Sequence, residues 1–159
     1  MEFIIRDAQR TDMKAVFRLI QELAEFEKEA DQVAISVTDL ERYGFGTAPA
    51  FQCFVAESAG EIMGIALTFM RFSTWKGPTL HLEDLIVTEQ ARGHGLGNAL
   101  LNRVVQHGHA LGVRRIQWEV LDWNDPAIKF YEQKGAHVLR DWNVVHLRED
   151  AIQAIVDTM

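Results

Sequence analysis

The chain has 159 residues, 48% hydrophobic and 25% charged, and a formal net charge of −7. That length suits one hydrophobic core and hence a single domain over residues 1–159, and the composition excludes a disordered, fibrous or membrane protein. An acidic balance argues against a nucleic-acid partner, which draws on clustered Lys and Arg, and suits a small cationic one, although mild acidity also simply keeps soluble proteins dispersed.

Phe3-Ile4-Ile5 predicts a short opening strand, with no apolar run of leader or membrane-span length around it, so a cytoplasmic setting without a membrane partner is expected. Thr11-Asp12 then offers an N-cap to a helix on which Met13, Val16, Phe17, Ile20, Leu23 and Ala24 recur at helical spacing. The acidic run Glu22, Glu25, Glu27, Glu29 and Asp31 at its end reads first as a solvated face. Ser36 and Asp39 form a capping-box pattern for a short helix that Gly44 and Gly46 end before Pro49.

Phe51 to Glu57 and Ile62 to Phe72 are apolar, partly β-branched runs separated by Ser58-Ala59-Gly60-Glu61, which predicts an antiparallel hairpin. The single cysteine, Cys53, lies inside the first run and reads as a small buried hydrophobe in a reducing compartment. After Trp75-Lys76-Gly77-Pro78 a strand resumes from Thr79 to Thr88. In a regular strand Glu83 and Asp84 point to opposite faces, so one acid must face covered space, where it needs a cation or water.

From Gly95 onward Leu96, Leu100, Leu101, Val104, Val105 and Leu111 mark a helical face, and Arg115 to Leu121 returns as a strand. Strand, glycine loop, helix, strand is a βαβ unit with its two strands parallel. Asp125-Pro126 opens a further helix that Gly135 stops; Val138-Leu139 and Trp142 to Leu147 read as closing strands, and Arg148 to Thr158 as a terminal helix. The fold class is α/β with a mixed sheet, antiparallel early and parallel in the middle.

Arg92-Gly93-His94-Gly95-Leu96-Gly97 joins a strand's end to a helix's start, where free backbone N–H groups and the helix dipole favour an anion. Glycines let a phosphate approach the backbone and Arg92 adds a forked donor, so pyrophosphate is the natural guest; the alternative is a tight turn whose glycines serve packing alone. A dinucleotide fingerprint would need Gly at the positions of Asn98 or Leu100, and a phosphate-binding loop of the ATPase type would need Gly-Lys-Ser/Thr, so nicotinamide and ATP chemistry are disfavoured. His107 and His109, two apart on a helix, diverge by about 200°, and no metal is expected.

This loop resembles the (Gln/Arg)-x-x-Gly-x-(Gly/Ala) acyl-CoA signature of the GCN5-related N-acetyltransferases, the GNAT superfamily. Glu22 to Glu27, Tyr43-Gly44-Phe45-Gly46, Leu82-Glu83-Asp84-Leu85, Trp123-Asn124 and Phe130-Tyr131 are similar to its spermidine/spermine acetyltransferase branch. Ser73-Thr74-Trp75-Lys76-Gly77 and Val120 to Asn124 look more like that branch's thialysine-acetylating members. The resemblance implies a mixed sheet of about seven strands, with a central parallel pair splayed around the acyl-CoA arm.

It also implies acetyl transfer from acetyl-CoA to a primary amine of a small cationic acceptor, by direct attack in a ternary complex, in a homodimer. Leu85 and Val87 are then expected to offer backbone groups to the pantetheine arm, Arg92, Gly93, His94, Gly95, Leu96 and Gly97 to hold the pyrophosphate, and Asn124 to hydrogen-bond the arm. Asn124 reads equally as a helix cap. An alkylammonium, with a lysine-like pKa of about 10.4, must lose a proton before it attacks, and the leaving thiolate gains from receiving one. Glu83 matches the family's base, acting through water, and Tyr131 its acid, beside the cofactor; a core ring paired with Phe130 is the alternative for Tyr131. Glu27 matches an amine-binding position; Trp75 is expected to supply an aromatic wall for the acceptor, and Glu83 and Asp84 to bind it. Ser73 and Thr74 stand where the polyamine branch has an acid, and Arg71 adds positive charge nearby, which favours a shorter, lysine-like acceptor. A non-catalytic acyl-CoA-binding module and a peptide acetyltransferase are the competing readings.

Overall fold

In the computed structural model, which describes residues 1–159, the chain divides into two units, Met1–Glu119 and Val120–Met159. The first carries the sheet. Its strands β1 (Ile4–Asp7), β2 (Gln52–Ser58), β3 (Glu61–Ser73), β4 (Gly77–Val87) and β5 (Ile116–Gln117) lie in that spatial order, antiparallel as far as β4 and parallel between β4 and β5. Local chemistry sets the β2–β3 step, because Ala59 and Gly60 take φ of 51° and 80°, the left-handed pair that a two-residue hairpin turn requires.

Helices α1 (Met13–Phe26) and α2 (Val37–Phe45) cover one face. Met13, Val16 and Leu19 of α1 and Leu40 of α2 bury themselves against Cys53, Val55, Ile62, Ile65 and Ile86. Each such side chain contributes about 1.5–3 kcal/mol by leaving water. Helix α3 (Leu96–Ala110) buries Leu96, Leu100, Leu101 and Val104. Its close approach to the sheet depends on Gly64, where a Cβ would lie 2.9 Å from the Ile86 carbonyl oxygen and 3.1 Å from Leu100 Cδ1.

The α2 cap is as expected, with Ser36 and Asp39 bonding reciprocally. The α1 cap is not. A single helical turn at Arg10–Asp12 precedes α1, and the Asp12 carboxylate instead accepts from Arg6 Nη1 and Nη2 at 2.7 and 3.1 Å and from the Gln9 N–H at 2.7 Å. The Arg6 guanidinium, with the Gln9 amide, holds the Asp12 carboxyl below its usual range.

The second unit holds α4 (Asp125–Gln133) and α5 (Glu149–Val156). Val138-Leu139 and Trp142 to Leu147 form no strand, and β5 is two residues long rather than running from Arg115 to Leu121, so the sheet has five strands instead of about seven. Apolar alternation describes one chain's side chains, whereas a strand is a property of a pair; without a ladder these segments remain irregular.

Candidate active site

Strand β4 contains one residue too many. Leu82 lies opposite Thr68 and Asp84 opposite Leu67, so Glu83 has no partner on β3. A bulge of this kind breaks the two-residue alternation of side chains. Leu67 and Thr68 are adjacent and point to opposite faces; Leu82 and Asp84, two apart, must therefore do so as well. Asp84 shares the face of Leu67, Ile65 and Ile86, toward the α1–α2 core. His81, opposite Phe69 and stacked on it at 4.9 Å between centroids, is on that face too, and its Nε2 lies 3.4 Å from Glu83 Oε2. The expectation that Glu83 and Asp84 point to opposite faces is thus overturned. The bulge gathers both acids on one.

The electrostatics follow from that crowding. Burial, then the charges of Glu83 and Glu27, push the Asp84 carboxyl up to about 7. Glu27, capping the C-terminus of α1, is itself raised by burial and by Glu29. Cys53, opposite Leu67, is pushed up to about 12 by burial and then by Asp84 and Asp12, so it stays a thiol. The acidic run is accordingly not one solvated face. Glu25, Glu29 and Asp31 are exposed, while Glu27 is half-buried and Glu22 Oε1 accepts the Glu89 N–H at 3.0 Å, tying α1 to the segment after β4.

Backbone geometry at the end of β4 is set by the Thr88 N–H, which donates to the Met63 carbonyl at 2.8 Å. Antiparallel alternation then directs the N–H and C=O groups of Ile86 and Asp84 toward β3, and those of Leu85 and Val87 to the other side. On that side β5 pairs only with Leu80 and His81, so its ladder stops before either residue. The Val87 carbonyl accepts from Arg92 Nε at 3.1 Å, and the Arg92 guanidinium lies 5.7 Å from the Phe26 ring.

Beyond Arg92, Gly93 and Gly95 take φ of 80° and 87°, and Gly95 is the N-cap of α3. A Cβ at either would meet nothing within 4 Å, so these glycines supply a left-handed backbone and an open approach rather than tight packing. The first helical bond of α3 runs from Ala99 N to Gly95 O, which leaves the N–H groups of Leu96, Gly97 and Asn98 without acceptors inside the helix. Exposed His94 lies between the two glycines. The loop therefore suits a diphosphate: three aligned donors, a helix dipole and the remaining nitrogens of the Arg92 fork.

Trp75 is placed elsewhere. It occupies the tip of the β3–β4 turn, 77% exposed, its N–H on Ser73 Oγ at 3.2 Å. From that turn to Glu83 the strand rises about 20 Å, so Trp75 does not join the acids within the unit. In the second unit Asn124 is the N-cap of α4, its Oδ1 accepting from the Ala127 N–H at 3.3 Å, which realises its capping alternative and leaves its amide N–H groups as donors. Tyr131 is buried on α4 with its ring 5.4 Å from that of Phe130. For His81 the sequence holds one signal, its two-residue spacing from Glu83 on a strand.

Comparison with known proteins defines the class. Residues 13–136 match the Acetyltransferase (GNAT) family. A thialysine N-epsilon-acetyltransferase of Bos taurus is 36% identical over 167 aligned positions, covering 98% of each chain. A spermidine/spermine N(1)-acetyltransferase-like protein 1 of Homo sapiens is 34% identical, across 84% of this chain and 20% of that protein. Among solved structures, an integron cassette protein from the mobile metagenome of V. cholerae superposes with a TM-score of 0.78 at 22% identity, covering 98% of each chain, which is a likeness of fold. The chain belongs to the acetyltransferase (GNAT) family, and it is an acetyl-CoA-dependent N-acetyltransferase.

Proposed function

We propose that residues 1–159 work as one N-acetyltransferase domain that moves acetyl from acetyl-CoA to the primary amine of a small cationic acceptor, by direct attack in a ternary complex. The observation that carries this reading is β4 itself. Within a few residues it offers acids for an ammonium, at Glu83 and Asp84, then an edge beyond the β5 ladder at Leu85 and Val87, and it runs straight into the glycine loop.

In this reading Leu85 and Val87 bond the pantetheine arm with backbone groups, Arg92 through Gly97 hold the pyrophosphate, and the Asn124 amide donates to the arm. Asp84 and Glu27 draw in the ammonium. Glu83 takes the amine's proton through a water, and the Tyr131 hydroxyl protonates the departing thiolate. Support for a lysine-like acceptor comes from the name and full-length match of the bovine relative, and from Arg71, whose fork suits a carboxylate. A long polycation is disfavoured by that same charge. We further propose a cytoplasmic homodimer without nucleic-acid or membrane partners; no helix is long and apolar enough to cross a membrane.

The test is an acetyl-CoA-dependent panel of thialysine, lysine, ornithine, putrescine, spermidine and a lysine peptide, read by mass spectrometry. Acetylation of thialysine or lysine above the polyamines is expected. Acetyl-CoA binding without acetylation of any of these amines, or acetylation of the peptide alone, overturns the small-acceptor reading.

A further inference from the structure

We infer that His81 is a positioning residue for the acid–base step: its Nε2 faces one carboxylate oxygen of Glu83 at ion-pair distance and so turns the other toward the proton to be taken. This rests on the reading of Glu83 as the base. The geometry is specific. His81 is 7% exposed, its Nε2 stands 3.4 Å from Glu83 Oε2, its ring stacks on Phe69, and its Nδ1 is buried with no hydrogen-bond partner.

Those facts select the tautomer. A proton on Nδ1 would bury an orphan donor and set the Nε2 lone pair against a carboxylate oxygen; a proton on Nε2 removes the repulsion and leaves only an unfilled acceptor, the more tolerable defect. Folding stability does not account for a histidine here. Leaving a buried polar atom unpartnered is costly, and an aromatic hydrocarbon would stack on Phe69 without that cost. The contact with Glu83 offsets little, because the carboxylate is 53% exposed and water competes for it. What the contact does supply is orientation. Glu83 is the unpaired residue of a bulge, without a β3 partner to fix its backbone phase, and His81 restrains its side chain.

The test is a mutant cycle on the full-length enzyme with its best acceptor. His81→Phe keeps the ring and loses the donor, and is expected to lower kcat about 10- to 100-fold while acetyl-CoA KM holds and Tm does not fall. His81→Gln, which can present an N–H at similar reach, should recover most of that loss. In a Glu83→Gln background, His81→Phe should change kcat by less than about twofold, since the group it positions is already gone. Wild-type kcat in His81→Phe, an equal loss in both backgrounds, or failure of His81→Gln to recover activity while it folds would each overturn the inference. Wild-type kcat in Glu83→Gln would instead overturn the base reading, and the inference with it.

Discussion

Asp84 stands between the α1–α2 core and two other carboxylates, and burial followed by Glu83 and Glu27 pushes it up to about 7. Its ordinary value is 3.8, so between those pH values the unfolded chain is ionised at this side chain and the folded chain is protonated. The stability attached to Asp84 is therefore fully present below pH 3.8 and is lost as pH rises through about 7. Asp84→Asn removes the dependence. Thermal unfolding across pH 5 to 8 should show the variant gaining on the wild type as pH rises, reaching a few kcal/mol at the upper end. A gap that does not change with pH would refute the burial of a titrating acid there. The acid–base pair makes a second residue-level prediction. Tyr131→Phe removes one oxygen from a buried ring and should lower kcat about 10²-fold with acetyl-CoA affinity intact, whereas a ring that only packs would tolerate the change. Glu83→Gln should recover part of its activity at high pH, where more acceptor amine is already neutral, and Tyr131→Phe should not. Steady-state pH profiles of both variants decide the assignment.

Among elements, the start of α3 permits a cleaner test of phosphate binding than its N-cap does. Gly95 has φ of 87°, so a glutamate there would strain the backbone and confuse misfolding with lost affinity. At Gly97 φ is ordinary, and a Cβ would make a normal 3.7 Å contact with Val87 Cγ2. Gly97→Glu sets a carboxylate in the first turn, which favours the helix dipole and repels a pyrophosphate. Affinity and stability should thus separate: acetyl-CoA binding by calorimetry falls about 10²-fold or more, while Tm holds or rises. Unchanged affinity would remove the loop from cofactor binding. The loop was legible in the sequence because its signals are local, as were the Ser36–Asp39 cap and the β2–β3 hairpin. The bulge was not. Glu83 and Asp84 look like any two consecutive strand residues until the register with Leu67 and Thr68 is known, and that register is a relation between strands. For the same reason the candidate acids were identifiable by type while their shared face, and the role of His81 beside them, were not.

At the scale of the whole molecule, residues 139–147 of the second unit are the most apolar stretch outside its helices. Leu139, Trp142, Val144, Val145 and Leu147 are all exposed, Val145 to 88%, in a segment whose alternation reads as strand and which forms none in its own unit. Exposed apolar side chains favour association, and an extended segment can gain a ladder from an identical segment across a two-fold axis. The homodimer proposed above would cover this apolar stretch. Light scattering at micromolar concentration should return twice the 18.1 kDa of the chain. Val145→Asp is the discriminating variant, because a side chain already this exposed can become charged without disturbing the packing of its own copy, whereas inside a dimer contact it would bury an unpaired carboxylate. The variant should shift to monomer mass with its far-UV circular dichroism unchanged. A wild-type monomer would reject the dimer, and a Val145→Asp dimer would move the interface away from this segment.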